Sequence, residues 1–169
     1  MAQGDGIVTK RLVVICHCLE VLALAVWVGG LVSIIAAVIP AVFNTIGMEA
    51  GGRMLTRTFQ GYDRLVMISA GVLAVGMLIR MVAAGSPPVT LSEFLFVGAM
   101  IAVTALLTVY LNPEVVRLQE LAFGTTEAEA KRVAYENFFA YHRVARALYL
   151  VNLGLGITML CFKVKRWGR

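Results

Sequence analysis

The stretch from residue 12 to residue 43 limits how this chain can fold more than any other feature. Glu20 is the only Asp, Glu, Lys or Arg within it, and about 20 apolar residues already suffice to cross a bilayer as a helix. The apolar region of a secretory signal is much shorter, so we expect a retained membrane helix that tilts or protrudes. Further apolar runs occupy residues 65–84, 91–111 and 144–162.

These four runs predict an all-α membrane protein, a four-transmembrane-helix bundle that forms a single domain over residues 1–169. A backbone surrounded by lipid must satisfy its own hydrogen bonds, which favours helix for runs of this length. Both termini then lie on one side of the membrane, here called side N. The two long connections lie on the opposite side, called side L, where we expect helical extensions over residues 47–62 and 113–143.

The charge pattern favours a lipid partner and excludes a nucleic acid. The net charge is +5, but the basic residues lie beside predicted membrane ends rather than along one stripe, so anionic headgroups are the expected counter-charge. Arg80, one turn from the end of the second span, is expected to reach the interface with its long side chain. Side N has seven basic residues in short segments, and side L has eight among many acids. We interpret this pattern as cytoplasmic termini in a bacterial inner membrane.

Several stretches resemble a known family. The longest is LALAVWVGGLVSIIAAVIPAVFNTIGMEAGG over residues 22–52, and shorter ones cover residues 58–63, 112–119 and 138–152. Read together, they resemble the small membrane family called domain of unknown function 4149, which is related to transmembrane protein 205. The resemblance implies a four-helix fold and no settled activity. The related family's association with drug tolerance adds export of a small solute or toxic ion as one alternative.

Soft metal ligands and histidines suggest a cofactor as a second alternative. Cys16, His17 and Cys18 lie near the side-N end of the first span, and Cys161 is expected at a similar depth, so copper(I) is conceivable. Successive helical residues point about 100° apart, which leaves at most one or two for a shared site. His17 and His142, the only histidines, should lie at opposite leaflets. One haem bound by both is therefore disfavoured, whereas either histidine with another ligand stays open.

A polar rim on side L is a further candidate site, because several charged residues should converge where the second, third and fourth helices meet that surface. The sequence leaves open whether the rim is an ion-pair network that clamps helix ends or a site for an anion or lipid headgroup. The residues expected there are Asp63, Arg64, Glu114, Arg117, His142, Arg143 and Arg146.

Glu20 is an acidic residue inside the membrane, and it could pair with a basic group, be protonated or stay solvated near side N. The middles of the second and third spans offer little polarity beyond Ser69 and Thr104, so we expect no transport path through the monomer. No catalytic motif is present. We expect a non-catalytic binding or accessory subunit of a membrane complex, whose partners are the lipid bilayer and other membrane proteins or a second copy. The alternatives are a haem- or copper-binding protein and an export factor.

Overall fold

The computed structural model describes residues 2–83 and 89–167, with side chains from 11 to 83 and from 89 to 165. These residues form helices joined by short connections and no strand, which confirms the all-α prediction. The helices make four long rods. The first rod contains α1 (Ala2–Ser33), a π-helical segment (Ile34–Val38) and α2 (Ile39–Ile46), and the second is α3 (Met48–Val82). The third contains α4 (Leu91–Ala105), a π-helical segment (Leu106–Leu111) and α5 (Asn112–Gly124), and the fourth is α6 (Ala128–Trp167).

Each rod is long and apolar enough to cross a membrane, and together they indicate an integral membrane protein. Many large apolar side chains point away from the bundle, including Ile68, Leu78 and Val109. Fully buried side chains fill the axis, among them Leu24, Trp27, Leu73, Met100 and Met159. An apolar exterior around an apolar core is expected where lipid is the solvent.

Two prolines, residues that usually kink or end a helix, lie within continuous rods. Pro40 and Pro113 are each the second residue after a π-helical segment. The N–H of Ile39 donates to the carbonyl of Ile34, and the N–H of Asn112 donates to that of Leu107. These wider i to i−5 turns relieve the clash between a proline ring and the carbonyl four residues earlier.

The connection between the first two rods is shorter than the sequence indicated. It turns at Gly47, whose φ of +80° is readily adopted by glycine. The extension predicted over residues 47–62 is therefore continuous with the second span as α3, whereas the one predicted over 113–143 is divided between α5 and α6. A turn predicted at residues 85–88 lies outside the described residues.

Contacts between rods define the two ends of the bundle. Glu20 of α1 lies against Arg80 near the end of α3 and Lys163 near the end of α6. The beginning of α1 and the end of α6 are therefore on the same side, side N. The α6 helix has 40 residues and is about 60 Å long, roughly twice the thickness of a bilayer core. Its first part must extend beyond the bilayer on side L.

Candidate functional site

Four charged residues meet inside the bundle near side N, and we call them the side-N cluster: Glu20, Arg80, Glu93 and Lys163. Each rod supplies one member, and the signs alternate along the chain. None of the four is more than 7 % exposed. Burying charges in a medium of low dielectric constant is costly unless they are paired and hydrogen-bonded.

The cluster is cross-linked by hydrogen bonds between rods. Arg80 Nε donates to Glu20 Oε1 at 3.1 Å, and Arg80 Nη2 donates to Glu93 Oε1. Lys163 Nζ donates to both Glu20 Oε2 and Glu93 Oε1. Two acids and two bases make the cluster neutral in sum. Of the three possibilities for Glu20, the structure shows pairing with basic groups, and the guanidinium of Arg80 is buried among these acids rather than exposed on the outside of the bundle.

The surroundings of Glu20 restrict its position further. An added Cβ on Gly76 would lie 2.6 Å from Glu20 Oε1 and 2.8 Å from its Cγ, so only glycine leaves room for this side chain. His17 Nδ1 lies 3.7 Å from Glu20 Oε2, one helical turn towards side N, and is partly exposed. His17 therefore lies at the rim of the cluster.

A cavity of about 320 Å³ lies against the cluster at the side-N end of the bundle. Its lining joins polar and apolar groups from the start of α4 and the end of α6: Thr90, Ser92, Glu93, Met159, Phe162, Lys163 and Lys165. Thr90 also caps α4, since its Oγ1 accepts the N–H of Glu93 at 3.3 Å. The cap fixes Glu93 in the first turn of α4, where it can face Arg80 and Lys163. The cavity is thus lined by both charged and apolar groups.

A second polar network lies towards side L and contains a single charged residue. Asp63 Oδ2 accepts from Asn112 Nδ2 at 2.7 Å, and Asp63 Oδ1 accepts from the Tyr149 hydroxyl at 2.8 Å. Asn112 Nδ2 also donates to that hydroxyl, at 2.8 Å. The neighbouring Tyr62 hydroxyl donates to the carbonyl of Trp27 at 2.9 Å. These bonds connect all four rods around one buried carboxylate.

Between the two networks the core is mainly apolar. It is filled by Leu24, Leu73, Met77, Met100 and Met159, none more than 5 % exposed. One buried polar pair lies near the side-L network, where Asn152 Nδ2 donates to Thr104 Oγ1 at 2.9 Å. No chain of hydrogen bonds joins the networks through the described part of the protein.

The residues predicted for the polar rim are arranged differently from the expected convergence. Asp63 turns inward to Asn112 and Tyr149, and Glu114 pairs with Arg117 on its own helix. His142 is half-buried and stacks on Phe138, with ring centroids 5.5 Å apart. The remaining three, Arg64, Arg143 and Arg146, are exposed and form no ion pair with a described residue.

The candidate metal and haem ligands are spread over the side-N half and the opposite end. Cys16 is buried, whereas Cys18 and Cys161 are exposed. Among the described residues, no group of three or more His, Cys, Asp and Glu side chains could hold a metal ion. His17 lies beside the side-N cluster, and His142 is about 30 Å from Lys163 along α6. The structure thus adds no ligand set to the haem and copper hypotheses, which stay predictions.

Two members of each network do not follow from the sequence. Lys163 is expected only as a basic residue beside a membrane end, and Glu93, Asn112 and Tyr149 are not singled out. A usable signal was nevertheless present, because the side-N part of each span contains, or is directly followed by, one charged residue, and these four charges sum to zero. For Asn112 and Tyr149 the sequence offers no such signal, because only the packing of the rods shows that they lie beside Asp63.

A comparison with known families gives one match. The family described as Domain of unknown function (DUF4149) matches residues 22–124, more than half of the chain. The match includes Arg80 and Glu93 of the side-N cluster and leaves Glu20 and Lys163 outside it. No curated protein and no solved structure matches the chain.

Proposed function

The chain belongs to the DUF4149 family, and we propose that it acts by binding within the membrane, as a non-catalytic binding or accessory subunit of a membrane complex. The observation that carries this proposal is the mutual pairing of the side-N cluster. Its acids and bases are engaged with one another across all four rods. A general acid or base needs a group that can exchange its proton with a substrate, whereas these groups hold helices together.

The exterior of the rods supports association with other proteins. Large apolar side chains face outward on every rod, for example Leu22, Ile68, Leu95 and Leu150. Such surfaces can pack against lipid tails or against the transmembrane helices of a partner protein. A bundle fixed internally by ion pairs can offer these faces as a rigid surface, which suits an accessory role.

The side-N cavity supports binding of an amphipathic ligand. Lys165 and the hydroxyls of Thr90 and Ser92 can contact a polar head, while Met159 and Phe162 can contact an apolar part. Sites that bind small ligands commonly combine an apolar lining with a few polar groups in this way. A ligand in this cavity would contact Glu93 and Lys163 of the side-N cluster.

Photo-crosslinking in the native membrane tests the accessory role. A photoreactive amino acid placed in turn at Leu22, Ile68, Leu95 and Leu150 samples one outward face of each rod. We expect one or two positions to give a crosslink to a discrete protein, and the others to give only lipid adducts. Lipid adducts at all four positions, together with a monomeric protein in native nanodiscs, would overturn the proposal.

The purified protein also tests the alternatives. A Soret band or near-stoichiometric copper would replace the binding proposal by a cofactor function, and its loss in His17→Ala or His142→Ala would identify the ligand. Protein-dependent uptake of a solute by liposomes would replace it by export.

Once the cluster is known, a count of the remaining basic residues favours the orientation opposite to the one predicted from the sequence, which stays a prediction. Arg80 and Lys163 are buried in ion pairs, which leaves five basic residues on side N against eight on side L. The positive-inside rule counts basic residues near the membrane, so we propose that side L faces the cytoplasm of a bacterial inner membrane. A green fluorescent protein fused after residue 169 should then stay dark, and bright fluorescence would restore cytoplasmic termini.

A further inference from the structure

Four exposed arginines form two short stripes on the side-L half of the bundle, and we call them the arginine band: Arg57 and Arg64 on α3, and Arg143 and Arg146 on α6. Arg57 and Arg64 are two helical turns apart, and Arg143 and Arg146 are three residues apart, so each pair shares a helix face. None of the four forms an ion pair with a described residue.

Other exposed arginines of the side-L half behave differently. Arg53 pairs with Glu49, Arg117 with Glu114, and Arg132 with both Glu129 and Glu136, always three or four residues away on the same helix. Side L therefore has acids that pair with arginines, but none of them pairs with the four arginines of the band.

The height of the band along the bundle explains why acids are missing there. At 1.5 Å per residue, Arg64 and Arg57 lie about 24 and 35 Å from Arg80 along α3, and Arg146 and Arg143 lie about 26 and 30 Å from Lys163 along α6. The hydrocarbon core of a bilayer is about 30 Å thick. With the side-N cluster near one membrane surface, the arginine band lies at the other.

A tyrosine supports this placement independently. Tyr110 is 62 % exposed in the π-helical segment of the third rod. It lies about 26 Å from Glu93 along that rod, at the height of Arg64 and Arg146. Exposed tyrosines are enriched where the hydrocarbon core meets the headgroups.

The two acids among the described residues at the height of Arg64 and Arg143 are already engaged. The carboxylate of Asp63 is buried and accepts from Asn112 and Tyr149, and Glu114 is engaged by Arg117. A guanidinium matches the geometry of a phosphate and binds it through two parallel hydrogen bonds. We propose that the arginine band binds the headgroups of anionic phospholipids in the leaflet on side L. This inference does not depend on the proposed accessory role.

Lipid retention tests the proposal with a matched control. The wild type and two variants are placed in bilayers of phosphatidylcholine with phosphatidylglycerol, extracted gently and analysed for bound lipid by native mass spectrometry. In the band variant, Arg57, Arg64, Arg143 and Arg146 are changed to Gln. In the control variant, the paired Arg53, Arg117 and Arg132 are changed to Gln.

We expect the wild type and the control variant to retain phosphatidylglycerol several-fold over phosphatidylcholine, and the band variant to lose this preference. Equal retention by the band variant, or an equal loss in the control, would overturn the proposal. Displacement of phosphatidylglycerol by inorganic phosphate at low concentration would assign the site to free anions and also overturn it. If the band variant does not fold, Arg64→Gln and Arg143→Gln alone must each lower the preference.

Discussion

The same residue types hold different structures together at the two ends of the bundle. In the side-N cluster, acids and bases are buried and pair across rods that are far apart in sequence, such as Glu20 with Lys163. On side L, pairs such as Glu129 with Arg132 are exposed and join residues of a single helix. An ion pair between rods stabilises the tertiary structure, whereas an ion pair within one turn of α6 stabilises only a helix that forms without it. The predictions below test this distinction.

Replacement of a buried base should have the largest effect. In Lys163→Met, Glu20 and Glu93 lose the basic partner on α6 that they share, and breaking a buried pair costs about 3–5 kcal/mol of the free energy of unfolding. Unfolding in detergent followed by circular dichroism measures the loss. The control is Lys165→Met, which removes an exposed charge two residues away and should change the free energy by less than about 0.5 kcal/mol.

The double variant Lys163→Met with Glu20→Gln sharpens the same test. It removes one charge of each sign, so we expect it to be more stable than Lys163→Met alone. If both lysine variants lose the same stability, or the double variant gives no recovery, the cluster does not hold the rods together as inferred.

Steric pressure on the cluster should have a smaller effect. In Gly76→Ala the new Cβ would overlap Glu20, whose carboxylate is held by Arg80 and Lys163 and cannot move freely. Overpacking of this kind costs about 1–3 kcal/mol. Gly71→Ala on the same helix has open space around the new Cβ and should cause no loss of stability. A similar midpoint of thermal unfolding for both variants would contradict the tight packing described for Glu20.

The side-L network should respond to loss of one hydroxyl. Tyr149→Phe removes the donor to Asp63 and the acceptor of Asn112, and leaving a buried polar group without its bond costs about 1–3 kcal/mol. Tyr110→Phe changes an exposed hydroxyl and serves as control in the same thermal unfolding experiment. Equal midpoints for the two variants would mean that this network contributes nothing measurable.

Replacement of an exposed pair should have the smallest effect. Arg132→Gln breaks the contacts with Glu129 and Glu136, and exposed pairs of this kind are weak because water and salt screen them. We expect no measurable shift in the unfolding midpoint. A shift as large as that of Lys163→Met would remove the distinction between the two ends.

Much of the fold follows from the sequence because lipid leaves few solutions for long apolar runs. The four spans and the shared side of the termini could be read from residues 12–43 and the three later runs. The boundaries of the helices could not be predicted. Pro40 and Pro113 suggested helix ends, since a proline usually kinks or ends a helix and the sequence does not show that a π-helical turn can accommodate it. The glycines near Gly47 suggested a long connection.

The candidate site was less predictable. Glu20 stands out in an apolar run, but its partners depend on how deep each rod sits and which way each face turns. Arg80 and Lys163 lie near span ends, where a basic side chain usually faces headgroups, so the sequence favoured the interface for both. Only packing shows that the two rods turn these side chains towards Glu20 and Glu93.

The two π-helical segments have a consequence for how this protein tolerates a change of length. A deletion within a regular helix rotates everything beyond it by about 100°, so loss of Ala99 from α4 would swing Asn112 away from Asp63. The segment Leu106–Leu111 instead contains a turn with one residue more than an α-helical turn needs. Removal of Val109, which is 77 % exposed, together with Pro113→Ala, would convert that turn to a regular one and keep both flanking faces aligned. These segments are thus the points at which the chain can be shortened without losing the alignment of its faces.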